Sequence, residues 1–108
     1  MAEKRYPAWF ATLKNKRKEY IDAVDDLGRV VRQAGPLDEK TSQLIQLAAA
    51  AAIRSEGAVH SHSKRALQAG ATADEVFHAI ILLTSTIGFP NVSAALSWAS
   101  DVIGVTEE

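Results

Sequence analysis

Three histidines are the side chains of this sequence best suited to proton transfer, because imidazole titrates near neutral pH. They are His60, His62 and His78. His60 and His62 are two residues apart, which on a helix places them about 200° apart around the axis, so both rings cannot enter one pocket. We expect His60 to be exposed or at a subunit contact. For His62 the residue type leaves two interpretations open, a catalytic acid or base and a structural hydrogen-bond donor to a neighbouring helix.

His78 lies in a strongly apolar stretch, where a buried imidazole needs a polar partner. It is either a buried histidine with its hydrogen bonds satisfied or a side chain of the same cavity as His62, with Glu56 supplying a carboxylate there. Two histidines and one carboxylate form a known metal-ligand set. Their spacing here is not diagnostic of a metal site, so we predict neither a metal nor a cofactor.

The elements that must position these residues are helical in pattern, in a chain of 108 residues that is 47% hydrophobic and 23% charged. This length and composition predict one globular domain, preceded by a polar tail over residues 1–6. Tyr20, Val24, Leu27 and Val31 form the stripe of an amphipathic helix, so residues 7–33 are one long helix or two short ones. The run of basic residues at 14–18 is interpreted as a solvated helix face.

Helix boundaries follow from caps and glycines. Asp38 is a predicted N-cap of a helix that runs to about residue 54, and Gly57 marks a bend before a helix over 58–69. Gly70 is predicted to be left-handed, and Thr72 and Glu75 form a capping box. The helix that they open is expected to reach residue 86, and a last helix covers 91–103.

The helix predicted over 75–86 is apolar almost all round. After its first turn it presents to water only His78, Thr84, Ser85 and Thr86. Such a helix must be covered on every side. A single small helical domain struggles to surround both this helix and the apolar segment at 44–53, so we expect oligomerisation to supply the cover. A central helix in a compact monomer is the alternative.

Residues 55–90 read SEGAVHSHSKRALQAGATADEV, then an apolar run, then GFP. This order resembles the carboxymuconolactone decarboxylase and alkyl hydroperoxidase D (AhpD-like) family over residues 37–103. In the redox branch a Cys-x-x-Cys pair precedes a histidine by seven and four residues. Counting back from His62, those positions hold Ser55 and Ala58, and the chain has no cysteine. Thiol peroxidase chemistry is therefore excluded, because it needs a thiolate and a resolving thiol.

The resemblance implies an all-α, AhpD-like bundle of about six helices, assembled as a trimer or hexamer. It implies that His62 is the general acid/base of a cofactor-free decarboxylase or isomerase of a small carboxylated lactone or keto-acid, with His78 or Gln43 orienting the substrate. Gln43 stands where redox relatives have a relay glutamate, and an amide cannot exchange protons at neutral pH. Arg54 or Arg65 would pair with the substrate carboxylate. The alternative is a catalytically silent oligomer that binds a small ligand or another protein.

Charge and hydropathy argue against binding to nucleic acid or to membranes. The formal net charge of −1 gives no general attraction to nucleic acid or to anionic membranes. The longest apolar runs, at 47–53 and 79–83, are far too short to cross a bilayer, and no signal peptide is evident at the N-terminus. We therefore expect a cytoplasmic protein without nucleic-acid or membrane partners.

Overall fold

The fold is all-α, as predicted. The computed structural model describes residues 8–104, and this part of the chain contains helices and no strands. Six helices have nine or more residues, and α6 is a single turn. The segments are α1 (Ala8–Lys16), α2 (Lys18–Arg32), α3 (Glu39–Ala52), α4 (Glu56–Gln68), α5 (Ala73–Ile81), α6 (Thr84–Ile87) and α7 (Phe89–Ile103). The predicted polar tail lies outside the described residues.

The first of two compact units ends at Pro36 and contains α1 and α2. The sequence left open one long helix or two short ones, and the structure has two, separated at Arg17. Lys18 and Asp22 form an ion pair of 2.7 Å on the polar face of α2. Its apolar stripe is exposed, with Leu27 61% accessible. The helix pattern of this unit was therefore predictable from the sequence.

The second unit begins at Leu37 and holds α3 to α7 around one apolar core. Helix α4 packs between α3 and α7, and α5 packs on α3 and α7. Alanines supply much of the buried surface, which lets the helix backbones approach closely. The buried apolar residues of this core are Leu47, Ala50, Ala51, Val59, Ala66, Ala71, Val76, Ile80, Val92, Ala95 and Ala99.

Side-chain caps begin three of these helices. The Asp38 carboxylate accepts a 2.8 Å bond from the Thr41 N–H. Hydrogen bonding by the side chain of Thr41, together with its backbone N–H, lowers the pKa of Asp38. Thr72 and Glu75 form the predicted capping box of α5. The carboxylate of Glu75 also contacts Lys40 of α3 at 3.2 Å. The hydrogen bond from Thr72 and the neighbouring Lys40 ammonium together hold the pKa of Glu75 below its usual range.

The junction between α3 and α4 lies earlier than predicted. Gly57 does not interrupt a helix, because it lies within α4. The turn is made by Arg54, whose φ of 59° is left-handed, and by Ser55, which caps α4. Non-glycine residues rarely adopt this backbone conformation. The side chain of Arg54 makes a hydrogen bond and an aromatic contact with α7.

The apolar helix predicted to reach residue 86 is interrupted. Helix α5 ends at Ile81, and α6 begins at Thr84. The Leu83 N–H bonds the Ile80 carbonyl three residues back, and the Thr84 hydroxyl donates to the Ile81 carbonyl at 2.7 Å. These bonds replace the regular helical ladder, and Leu82 is left 64% exposed.

The final helix begins at Phe89, two residues before the predicted start, because Pro90 can occupy its first turn. It ends at Gly104, whose φ of 72° is the left-handed conformation expected there. Among the described residues, no helix is both long enough and apolar enough to cross a bilayer.

Candidate functional site

Gln43 of α3 and His62 of α4 meet where these two helices pack together. The Oε1 of Gln43 lies 2.8 Å from the Nδ1 of His62. Gln43 is fully buried, whereas His62 is partly exposed. A buried amide requires hydrogen-bond partners, and the imidazole provides one of them. The structure thus brings together two of the four residues predicted from the sequence to carry catalysis.

Glu39, one turn before Gln43 on α3, completes this polar chain. The Nε2 of Gln43 donates a bond of 2.8 Å to the Oε2 of Glu39. An ionised carboxylate can only accept, so this contact fixes which end of the Gln43 amide faces each neighbour. The amide oxygen faces His62, and His62 must therefore donate from Nδ1.

The direction of these bonds determines the protonation pattern of His62. A neutral imidazole that donates from Nδ1 carries its lone pair on Nε2. In this form Nε2 can accept a proton, and the imidazolium can return it. Gln43 orients the ring but transfers no proton, because an amide does not ionise at neutral pH. The arrangement is suited to acid/base chemistry at one nitrogen.

Ser55 and Ala58 occupy the two positions that would hold cysteines in the redox pattern. The Ser55 hydroxyl accepts a bond of 3.3 Å from the Ala58 N–H and caps α4. The first of these positions therefore has a structural role here. With no cysteine in the sequence, thiol chemistry cannot take place beside His62.

The sequence profile of the carboxymuconolactone decarboxylase family matches residues 18–101. The chain belongs to this family. It is also 29% identical, over 92 residues, to an uncharacterized protein of Methanocaldococcus jannaschii, a match that covers 85% of this chain and 86% of the relative. The family resemblance read from the sequence is thereby confirmed. This relative carries no assigned activity, so the chemistry of this family member is argued from its site.

Glu56 lies beside His60 in this family member. The two residues are four apart on α4, and the Nε2 of His60 is 3.9 Å from the Oε2 of Glu56. Asp101 of α7 accepts a hydrogen bond of 3.0 Å from the same His60 nitrogen. Oxygen atoms of the two carboxylates and this nitrogen all lie within 4.8 Å of one another. This exposed group could hold a divalent cation, and in the structure it joins α4 to α7.

His78 and Arg65 are exposed side chains on α5 and α4. Neither side chain makes a hydrogen bond or an ion pair with the described residues. The sequence left open a buried His78, and the structure places this side chain at the surface instead, because it lies on the outer side of α5 while Val76 and Ile80 face the core. Arg65 lies three residues after His62 and hence on a neighbouring part of the helix surface.

Arg54 is held by two residues of α7. Its guanidinium donates to the Oδ1 of Asn91 and lies 5.9 Å from the centre of the Trp98 ring. These are a hydrogen bond and a cation–π contact. The sequence predicted that Arg54 or Arg65 binds the substrate carboxylate, and in the structure the Arg54 contacts tie the α3–α4 turn to α7.

Ser63 is a buried polar residue next to His62 in the sequence. It is fully buried, and its hydroxyl has no hydrogen-bond partner among the described residues. Sequence reasoning missed both Ser63 and Glu39. Spacing could have identified Glu39, because residues four apart on a helix face each other and a Glu–Gln pair can hydrogen-bond there. No comparable sequence signal marks Ser63.

Proposed function

We propose that this protein is a cofactor-free enzyme that decarboxylates or isomerises a small carboxylated lactone or keto-acid, with His62 as general acid/base. The observation that carries the proposal is the hydrogen bond between Gln43 and His62. It holds the ring in a defined orientation and leaves the lone pair on Nε2. Membership of the carboxymuconolactone decarboxylase family supports the substrate class.

The proposed chemistry is proton transfer at a carbon next to a carbonyl group. In isomerisation Nε2 removes a proton from one carbon, and the imidazolium returns it to another position. In decarboxylation carbon dioxide leaves first, and the imidazolium protonates the carbon that retains the electron pair. Isomerisation needs a group that accepts and then donates a proton, and decarboxylation needs one that donates it; imidazole can do both near neutral pH.

Arg65 is the better of the two arginines for binding the substrate carboxylate. It lies one helical turn from His62, and its side chain has no hydrogen-bond or ion-pair partner among the described residues. A guanidinium binds a carboxylate through two parallel hydrogen bonds. Arg54 is already engaged by Asn91 and Trp98, so its guanidinium would have to give up those contacts.

The second candidate function is that of an oligomeric binding protein without catalysis. Two observations favour it. Gln43 cannot relay a proton, and several large apolar side chains of the described chain remain exposed, among them Leu82 and Phe89 at 64% each. Exposed apolar surface of this kind is typical of protein contacts.

A ligand screen by thermal shift separates the two functions. Wild type, His62→Ala and Lys64→Ala are each tested against a panel of carboxylated lactones and 3-keto acids. Lys64 is an exposed neighbour on α4 whose side chain points about 200° away from His62, so its variant is the matched control. We expect one class of compound to raise the melting temperature of wild type and Lys64→Ala, and to have a much smaller effect on His62→Ala.

Each of the other outcomes argues against catalysis at His62. If His62→Ala shows the full wild-type shift, the compound binds elsewhere and the acid/base proposal fails. If no compound stabilises the wild type, the binding-protein function replaces it, with a macromolecule as the expected ligand.

A further inference from the structure

We propose that Glu39 is a positioning residue that selects the tautomer of His62 through Gln43. The inference rests on the proposed role of His62 as an acid/base. Glu39 is linked to the imidazole through the Gln43 amide and, in this proposal, does not contact the substrate. Its effect reaches His62 through two hydrogen bonds of 2.8 Å each, one on either side of the Gln43 amide.

The Gln43 amide alone does not specify a tautomer. Its NH2 and C=O groups are nearly equal in size, and the side chain can present either of them to a neighbour by rotating half a turn. With the oxygen toward His62 the ring donates from Nδ1. With the NH2 group toward His62 the ring must accept at Nδ1, and the proton then lies on Nε2. In the first arrangement Nε2, the nitrogen proposed for catalysis, has a lone pair and can accept a proton. In the second arrangement Nε2 already carries a proton and can only donate it.

A carboxylate at position 39 removes this ambiguity. It accepts hydrogen bonds and cannot donate one, so the amide oxygen is excluded from its side and the NH2 group is favoured there. The bond is also charge-assisted and stronger than a neutral one. Because Gln43 is fully buried, water cannot easily satisfy the amide in the reversed orientation. The negative charge of Glu39 on α3 therefore favours the tautomer of His62, on α4, that carries its proton on Nδ1.

Glu39 is also the first residue of α3, where any carboxylate stabilises the helix through its dipole. A test must separate this general effect from the specific one. Asp74 offers the matched control, because it is an acidic residue in the first turn of α5 and its carboxylate makes no hydrogen bond or ion pair with the described residues. Glu39→Gln and Asp74→Asn each replace one such carboxylate by a neutral amide of nearly the same shape.

The experiment is ¹⁵N NMR of the imidazole rings in protein labelled at histidine, at a pH where the rings are neutral. The chain has only three histidines, and single substitutions assign their signals. Protonated and unprotonated ring nitrogens have well separated shifts, so the spectrum reports the tautomer directly. We expect wild type and Asp74→Asn to hold the proton of His62 on Nδ1. In Glu39→Gln the side chain at 39 can donate as well as accept, and the tautomer ratio should move about tenfold toward Nε2–H.

Two results would overturn the proposal: a wild-type His62 with its proton on Nε2, or a Glu39→Gln protein with the wild-type tautomer ratio. The wild-type spectrum remains decisive if the variant fails to fold. The readout also separates this inference from the proposed function, because it requires no turnover. A tautomer change that leaves the turnover of an identified substrate unaltered would support the role of Glu39 and contradict catalysis by His62.

Discussion

The Nδ1 of His62 lies 2.8 Å from the Oε1 of Gln43, so a fully buried amide of α3 sets the orientation of a partly exposed ring on α4. Side chains from two packed helices hold a ring more firmly than side chains of a single loop would. The same contact satisfies the Gln43 oxygen, and Glu39 satisfies the nitrogen. One polar chain therefore serves the packing of the core and the proposed chemistry together.

The unpartnered Ser63 hydroxyl predicts a stabilising substitution. A buried polar group without a hydrogen bond destabilises the folded state, so Ser63→Ala should raise the free energy of unfolding by about 1 kcal/mol. Alanine also favours helix by itself, and Ser97→Ala at an exposed position of α7 measures that contribution. Urea unfolding of both variants gives the difference. A Ser63→Ala protein that is less stable than the wild type would show that the hydroxyl does have a partner in solution.

The Glu75 carboxylate predicts a pH-dependent contribution to stability. The hydrogen bond from Thr72 and the Lys40 ammonium lower the pKa of Glu75 in the folded protein. Its contribution is therefore fully present above the unfolded value of about 4.3 and is lost as the pH falls through the lower, folded value. Glu75→Gln should be less stable than the wild type at neutral pH, and the difference should shrink on acidification.

Urea midpoints from pH 7 to about pH 3 provide the measurement for Glu75. Asp74→Asn removes a carboxylate from the same helical turn and should show a smaller dependence on pH, since Asp74 makes neither of these bonds. A stability difference between wild type and Glu75→Gln that grows on acidification would contradict the account.

The sequence predicted the helices well wherever a local signal marks their ends. Asp38, the capping box at Thr72 and the left-handed Gly70 act within one turn of the chain, and each lies where expected. The turn at Arg54 was missed because its contacts come from Asn91 and Trp98, far along the sequence. The interruption after Ile81 was missed for a different reason, since composition shows an apolar run and not which carbonyl the Thr84 hydroxyl will bond.

The candidate site was only partly accessible from the sequence. His62 and Gln43 were identified by their resemblance to the family pattern, and their contact depends on how α3 packs on α4. Glu56 was assigned to the same cavity, but four residues on a helix place it beside His60 instead. His60 was expected to be exposed or at a subunit contact. In the structure it bonds to Asp101, which lies 41 residues further along the sequence, and this bond links α4 to α7. Such long-range pairs have no local signature.

Assembly as a trimer or hexamer remains a prediction of the sequence, and Leu82 offers a test of it. This side chain is 64% exposed in the described chain, so Leu82→Asp should leave the fold intact. If subunits cover this region, light scattering should give a trimer or hexamer for wild type and a smaller species for Leu82→Asp. Thr86→Asp, which adds the same charge at an exposed polar position of α6, should keep the wild-type mass. A wild-type monomer of 11.6 kDa would contradict the prediction.

Proton transfer by His62 is tested most directly by NMR of candidate substrates in heavy water. Carboxylated lactones and 3-keto acids are incubated with wild type, His62→Ala and Lys64→Ala, and deuterium at the carbon next to the carbonyl is followed together with loss of the carboxylate. General acid/base catalysis contributes about 10²–10⁴-fold to rates. We therefore predict deuterium incorporation or decarboxylation with wild type and Lys64→Ala, at least about 100-fold faster than with His62→Ala. Equal rates for wild type and His62→Ala, or no reaction of any compound with the wild type, would contradict the account.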